Sequence, residues 1–109
     1  MKIALIGYGR MGKTIERIAL ERGHEIVYIN NDGVLAIEQA ALADVAIEFT
    51  QPDAAADNIT KLLTAGIPVV SGTTGWLEAK NQVNDVAVSQ AVGFVYASNF
   101  SLGVNLFFA

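Results

Sequence analysis

The sequence predicts an α/β domain: a parallel sheet of five strands in the order 2-1-3-4-5, with helices on both faces. Three observations carry this. Short apolar runs alternate with helical patterns along the chain, and such alternation means parallel strands joined by right-handed crossovers. The runs are β-branched and aromatic without polar alternation, as strands covered on both faces are. The stretch between Asn30 and Asp44 already reads as a helix and leaves no room for an extra outer strand. A six-stranded order is therefore disfavoured, and 2-1-3-4-5 places the topological switch between the first and third strands.

The elements follow in order. The first strand is 2–6. A helix after it carries Met11, Ile15, Ile18 and Ala19 on one face and Lys13, Glu16 and Arg17 elsewhere, and Gly23 after Arg22 is its stop. The second strand is 25–29, and 34–42 reads as a helix. The third strand is 45–49. A helix beginning near Pro52-Asp53 buries Ile59, Leu62 and Leu63 and ends at Gly66. The fourth strand is 68–71. A helix over 76–90 has Val83, Val86 and Ala87 as its stripe, and the fifth strand is 93–97. The apolar tail with Leu102, Val104, Leu106, Phe107 and Phe108 reads as the start of a further helix. Left without partners, that patch is expected to drive self-association.

Composition narrows the classes. The chain has 109 residues, 52% apolar and 17% charged, which suits one domain with a real core. A net charge of −4 supplies no basic face for nucleic acid. There is no cysteine, hence no disulfide or cysteine metal site in these residues. No stretch reaches membrane-spanning length, and the reading is a cytoplasmic protein without membrane partners. No metal cluster, serine–histidine–acid set or paired catalytic carboxylates emerge.

The chemistry concentrates at the carboxyl ends of the strands. Gly7, Tyr8, Gly9, Arg10, Met11 and Gly12 follow the first strand directly and open a helix. A G-x-G-x-x-G in that context is the fingerprint of a Rossmann-like dinucleotide-binding unit. The first glycine permits the turn, the second admits pyrophosphate to the backbone, and the third lets helix and strand pack closely. The phosphates then face a helix N-terminus. Arg10 and Lys13 either help hold a phosphate or are solvated helix charges. After the second strand stand Asn30, Asn31 and Asp32. An acid about 20 residues past the glycines accepts from the ribose 2′-OH, and Asp32 holds that place. Asn-Asn-Asp-Gly is equally a turn sequence, which leaves NAD against NADP open.

The remaining rim residues carry two readings each. In Gly72-Thr73-Thr74-Gly75 the glycines and hydroxyls suit either a ligand or a helix cap. Phe49 and Phe100 either flank a nicotinamide ring or belong to the core. Asn99 pairs with a carboxamide or caps a turn. Glu48, near the end of the third strand, either approaches the cofactor or satisfies neighbouring backbone donors. His24 sits at the far end of the sheet and reads as a surface histidine.

The series 6–12, 44–52, 71–76 and 97–105 in combination resembles the dihydrodipicolinate reductase family of the lysine (diaminopimelate) pathway, also described as 4-hydroxy-tetrahydrodipicolinate reductases. The resemblance runs over the whole chain. It implies a cofactor domain spanning 1–109, with Gly7, Gly9 and Gly12 at the pyrophosphate and Phe49 and Thr50 beside the cofactor. It places Gly72, Thr73 and Thr74 along the crevice, Thr74 also near the substrate, and Ala97, Asn99 and Phe100 at the nicotinamide end. It implies hydride transfer from NADH or NADPH to a cyclic unsaturated dicarboxylate by a homotetramer. Two positions depart from the family pattern. Aspartate is usual where Glu48 stands, and a glutamate, often followed by arginine, is usual where Asn30-Asn31-Asp32 stands. The family's substrate domain, with its catalytic residues, follows the point where this sequence stops. The chain thus reads as cut, with no catalytic residue of its own and no turnover expected from these 109 residues alone. The alternative is a stand-alone dinucleotide-binding module without catalysis.

Overall fold

The apolar runs pair as one parallel sheet in the computed structural model. It describes residues 1–31, 34–50, 52–72, 85, 87, 88 and 93–96, and for 52 and 94–96 the backbone alone. Strands β1 (Lys2–Ile6), β2 (Glu25–Asn30), β3 (Val45–Glu48), β4 (Val69–Ser71) and β5 (Phe94–Tyr96) lie in the order β2-β1-β3-β4-β5. Every neighbouring pair is parallel. Helices α1 (Arg10–Glu21), α2 (Ile37–Ala40) and α3 (Pro52–Thr64) connect them among the described residues.

Alternation along β1 divides the core into two layers. Ile3 and Leu5 meet Val45 and Ile47 of β3 and Ile15 and Ala19 of α1 on one face. Ala4 and Ile6 meet Ala46, Val69, Ala40 of α2 and Ala55, Ile59, Leu62 and Leu63 of α3 on the other. Helices therefore cover both faces, and β1 and β3, in the middle, are buried throughout apart from Lys2. Residues 26–29 of β2 are only half-buried. The expectation that every strand is covered on both faces fails there, because β2 is an edge strand.

Two glycines end helices as expected. At Gly23 (φ +82°) the His24 N–H reaches back to Ala19 O at 2.9 Å and the Gly23 N–H to Leu20 O at 3.1 Å. At Gly66 (φ +82°) the Ile67 N–H bonds Leu62 O at 3.0 Å and the Gly66 N–H bonds Leu63 O at 2.9 Å. Both pairs are the doubly bonded left-handed cap that glycine accepts without a Cβ penalty.

Other boundaries differ from expectation. The helix expected over 34–42 is a single turn, Ile37–Ala40. The reason lies in β2: Tyr28 Oη accepts from the Ala36 N–H at 3.0 Å, and Asn30 Nδ2 donates to Val34 O at 3.4 Å. Backbone groups that would start the helix are tied to strand side chains instead. Val34 (90% exposed) and Leu42 (65% exposed) are left outside it. Met11, expected on the core face of α1, is 38% exposed, and Gly12 takes its place among the buried residues with Ile15 and Ala19. The strand expected to reach Phe49 ends at Glu48, that expected from Pro68 begins at Val69, and that expected over 93–97 covers Phe94–Tyr96. Of the helix expected over 76–90, Asp85, Ala87 and Val88 are described as helical, with Ala87 buried. Val83, Val86, Trp76 and the tail from 97 onward, including Phe107 and Phe108, lie outside the described residues.

Candidate functional site

The last residues of the strands stand in register across the sheet. Asn30 pairs with Ile6, Ile6 with Glu48, and Glu48 with Ser71. Asn30, Glu48 and Ser71 are the buried polar side chains among the described residues, so burial of polarity is confined to this one row. The next residues are Asn31, Gly7, Phe49 and Gly72, which begin the loops of the rim. Three backbone bonds carry the ladder one step further: Gly7 N–H to Asn30 O at 2.8 Å, Phe49 N–H to Ile6 O at 2.8 Å and Gly72 N–H to Glu48 O at 2.9 Å. The loops thus leave a rigid floor.

The three glycines of the first loop differ in what surrounds them. Gly7 has φ +100°, and a Cβ there would lie 1.9 Å from Phe49 O. At Gly12 a Cβ would lie 2.5 Å from Gly7 O. Both are required by the protein's own packing, the first for the turn and the third for seating α1 on the loop. Gly9 is different: among the described residues nothing lies within 4 Å of a Cβ built on it. The fold leaves open space beside the middle glycine. Gly9 is also the N-cap of α1, without a side-chain cap, and the first turn holds no acid. The first helical bond runs from Lys13 N–H to Gly9 O at 3.0 Å, so the amides ahead of it have no acceptor within the helix. The open space thus adjoins the N-terminus of α1, the positive end of its dipole.

Two side chains fix the loop. Tyr8 Oη donates to Glu16 Oε1 at 2.5 Å, which ties the loop to the second turn of α1. That hydrogen bond is the largest cause raising the Tyr8 phenol above its ordinary 10.0, with burial and the Glu16 charge adding to it. The Lys13 ammonium lies 5.7 Å from the Tyr8 ring centroid, within cation–π range. Arg10 and Met11 are exposed on the first turn of α1. Thr14 Oγ1 donates back to Arg10 O at 3.1 Å.

On the other side of the floor, Phe49 and Gly72 interlock. A Cβ on Gly72 would fall 1.8 Å from Phe49 Cε1, so the ring lies against the glycine backbone. Phe49 packs with the α1-side cluster that includes Tyr8 and Val70. The core alternative for Phe49 therefore holds in part, while the ring stays half-exposed at the rim. Glu48 is 0% exposed. Its Oε2 accepts from the Thr50 N–H at 3.0 Å and from the Thr50 hydroxyl, and its Oε1 accepts from the Ser71 hydroxyl at 2.6 Å. It satisfies neighbouring donors, as one of its two readings has it, and of the donors among the described residues two are hydroxyls.

Asn30 is buried, and its amide donates to Tyr28 Oη at 3.2 Å and to Val34 O. Its side chain is engaged inside, and Asn31 is the exposed residue beyond it. Asp32, Thr73, Thr74, Ala97, Asn99 and Phe100 lie outside the described residues. His24 is remote from the rim, at the amino end of β2, with Nδ1 3.0 Å from the terminal ammonium. Among the described residues no group of acids and histidines could hold a metal ion, and no helix is long and apolar enough to cross a membrane. Sequence reasoning passed over Ser71, Tyr28 and Glu16. For Ser71 the signal was a polar residue in phase with the buried Val69.

Comparison with known proteins gives this geometry a context. The family described as "Dihydrodipicolinate reductase, N-terminus" matches residues 19–100. A 4-hydroxy-tetrahydrodipicolinate reductase of Christiangramia forsetii is 51% identical over 112 residues, covering 99% of this chain and 46% of the relative. One of Beutenbergia cavernae is 39% identical over 110 residues, covering 97% and 44%. The chain spans less than half the length of these curated relatives. In structure, a putative homoserine dehydrogenase from Archaeoglobus fulgidus is similar with a TM-score of 0.70 at 18% identity, covering 88% of this chain and 42% of that one. A hyperthermophilic archaeal homoserine dehydrogenase in complex with NADPH gives 0.68 at 13% identity, covering 87% and 43%. At those identities the likeness shows the fold alone, a parallel-sheet Rossmann-like α/β domain. The glycine loop, the parallel order and the identity over nearly the whole chain converge, and the chain belongs to the dihydrodipicolinate reductase family as its N-terminal region.

Proposed function

We propose that this chain is the cofactor-binding half of an NADH- or NADPH-dependent 4-hydroxy-tetrahydrodipicolinate reductase of the diaminopimelate route. The observation that carries the proposal is the open space at Gly9 between two glycines that packing demands. Packing among the described residues does not demand a glycine there, whereas a pyrophosphate approaching the α1 amides does. In this reading Gly7, Tyr8, Gly9, Arg10, Met11 and Gly12 surround the diphosphate. Phe49, Thr50 and Gly72 form the opposite wall. The family resemblance adds Thr73 and Thr74 to that wall, Thr74 also near the substrate, and puts Ala97, Asn99 and Phe100 at the nicotinamide end. NADPH is bound by one of the structural neighbours, and the two relatives named above are reductases by name.

When bound, the reduced nicotinamide supplies the hydride. What this chain contributes is binding and orientation. The α1 amides hold charge, and the Phe49 ring offers a flat apolar surface that excludes water. The floor row keeps both walls at fixed separation. The acceptor is a cyclic unsaturated dicarboxylate, and the groups that hold it and move its proton are supplied by the remainder of a protein of the relatives' length, assembled as a homotetramer. The ribose end carries Asn31 exposed and Asn30 turned inward, so neither asparagine excludes a 2′-phosphate by charge. Asp32 is the acid that bears on the choice, as Arg10 does with the opposite sign.

Calorimetric titration with NADH and NADPH tests the proposal. Both bind the parent, within about tenfold of each other, or ~1.4 kcal/mol. Gly9→Val loses both while keeping a native far-UV circular dichroism spectrum, because its side chain enters open space. Unchanged affinity in Gly9→Val would place the cofactor elsewhere.

A further inference from the structure

We infer that Glu48 is a positioning residue for the dinucleotide crevice, acting as a geometric brace between the loop after β3 and the end of β4 and not through its charge. This rests on the reading of the crevice as a dinucleotide site. The two oxygens of one carboxylate serve two structural elements. Oε2 takes both donors of Thr50, its N–H and its hydroxyl, and Oε1 takes the Ser71 hydroxyl. Thr50 follows Phe49, and Ser71 precedes Gly72, so the carboxylate ties together the residues flanking the Phe49–Gly72 contact. That contact has no slack, since a single added carbon at Gly72 would collide with the ring. β3 and β4 pair over only three residues, with Glu48 opposite Ser71 as the last pair. Beyond that pair, among the described residues, the backbone contributes one more bond, Gly72 N–H to Glu48 O. The side chain of Glu48 thus cross-links the mouth of the two strands where the backbone ladder runs out.

Alanine at 48 would remove the acceptor that the Thr50 N–H and the Thr50 and Ser71 hydroxyls share, and donors that lose a buried acceptor pull toward water. The Phe49–Thr50 wall would then move away from Gly72. Glutamine behaves differently. Its carbonyl oxygen can take both Thr50 donors, and its amide can donate to Ser71, whose hydroxyl turns from donor to acceptor. Glutamine therefore keeps the brace and removes the charge, which separates the two explanations.

The test uses the protein at its natural length. NADH affinity is measured by calorimetry for the parent, Glu48→Gln, Glu48→Ala and Ser71→Ala, together with thermal unfolding and amide hydrogen exchange at Thr50. Glu48→Ala should bind NADH at least tenfold more weakly and lose protection at Thr50, while Glu48→Gln stays within threefold and keeps it. Should Glu48→Ala fail to fold, Ser71→Ala carries the test: it removes one arm of the brace without orphaning a donor and should weaken NADH by three- to tenfold in a native fold. Parent-like NADH affinity in a folded Glu48→Ala or Ser71→Ala overturns the inference. A loss in Glu48→Gln equal to that in Glu48→Ala overturns it too, in favour of charge. If the parent binds neither NADH nor NADPH, the crevice reading fails by itself. Exchange still decides the brace, which is refuted by equal Thr50 protection in Glu48→Ala and parent.

Discussion

Tyr8 and Gly72 show how single residues shape the crevice. Tyr8 reaches from the glycine loop to Glu16 and holds its proton more tightly than an ordinary tyrosine, chiefly because the phenol donates to that carboxylate. A raised value means that, while Glu16 is ionised, the bond supports the fold below the ordinary tyrosine range and is lost as pH rises through the raised value. The phenolate absorbance of the parent minus that of Tyr8→Phe should therefore have its midpoint above 10.0, and Glu16→Gln should lower it. An unchanged midpoint in Glu16→Gln would mean that the two side chains do not meet in solution. Gly72 makes the opposite kind of demand. Gly72→Ala drives a methyl group into the Phe49 ring, and overpacking of that kind costs about 1–3 kcal/mol. Urea denaturation measures this, and Phe49→Leu in the same chain should recover part of the loss.

At the scale of elements, α3 shows which links of the chain carry stability. Ala55, Ile59, Leu62 and Leu63 are all fully buried against the sheet, at the spacing of one helical face. Ile59→Ala should destabilise by about 2–5 kcal/mol, the range for large-to-small changes in a packed core. Asp57 and Lys61, on the outer face, form an i,i+4 pair at 3.0 Å with both side chains well exposed. Asp57→Ala should cost no more than about 0.5 kcal/mol. Chemical denaturation of both variants checks the contrast, and similar losses would mean that the outer face is covered in solution. Helix α3 was legible because its apolar spacing and its Gly66 stop agree. Helix α2 was not. Its 34–42 pattern is helical in sequence, but Tyr28 and Asn30 of β2 capture the backbone of 34–36. No periodicity within 34–42 reveals a competitor that sits in the preceding strand.

For the whole molecule, ligand binding and folding are linked. A ligand that binds the folded state alone raises stability by about 2.7 kcal/mol at a hundred times its dissociation constant. NADH should therefore raise the melting temperature of the parent and leave that of Gly9→Val where it is. A shift of equal size in both would mean that the stabilising site is not the glycine loop. The strand order is what makes such a site. β1 sits between β2 and β3, so the chain leaves in opposite directions on its two sides and opens a crevice at its carboxyl end.

The sequence by itself determined the parallel alternation, the glycine loop at the end of β1, the helix stops at Gly23 and Gly66, and the family. The glycine loop and the helix stops are local signals, decided by spacing and backbone preference within a turn, whereas the alternation and the family are read from the series of such segments along the chain. Only the tertiary structure decided that Gly9 alone among the three loop glycines opens onto free space. It also decided that Met11 faces outward, and that Asn30, Glu48 and Ser71 form one buried polar row. Those facts depend on which strands lie side by side and in what register. Glu48 and Ser71, 23 positions apart in sequence, meet only because β3 and β4 pair in parallel with their ends aligned.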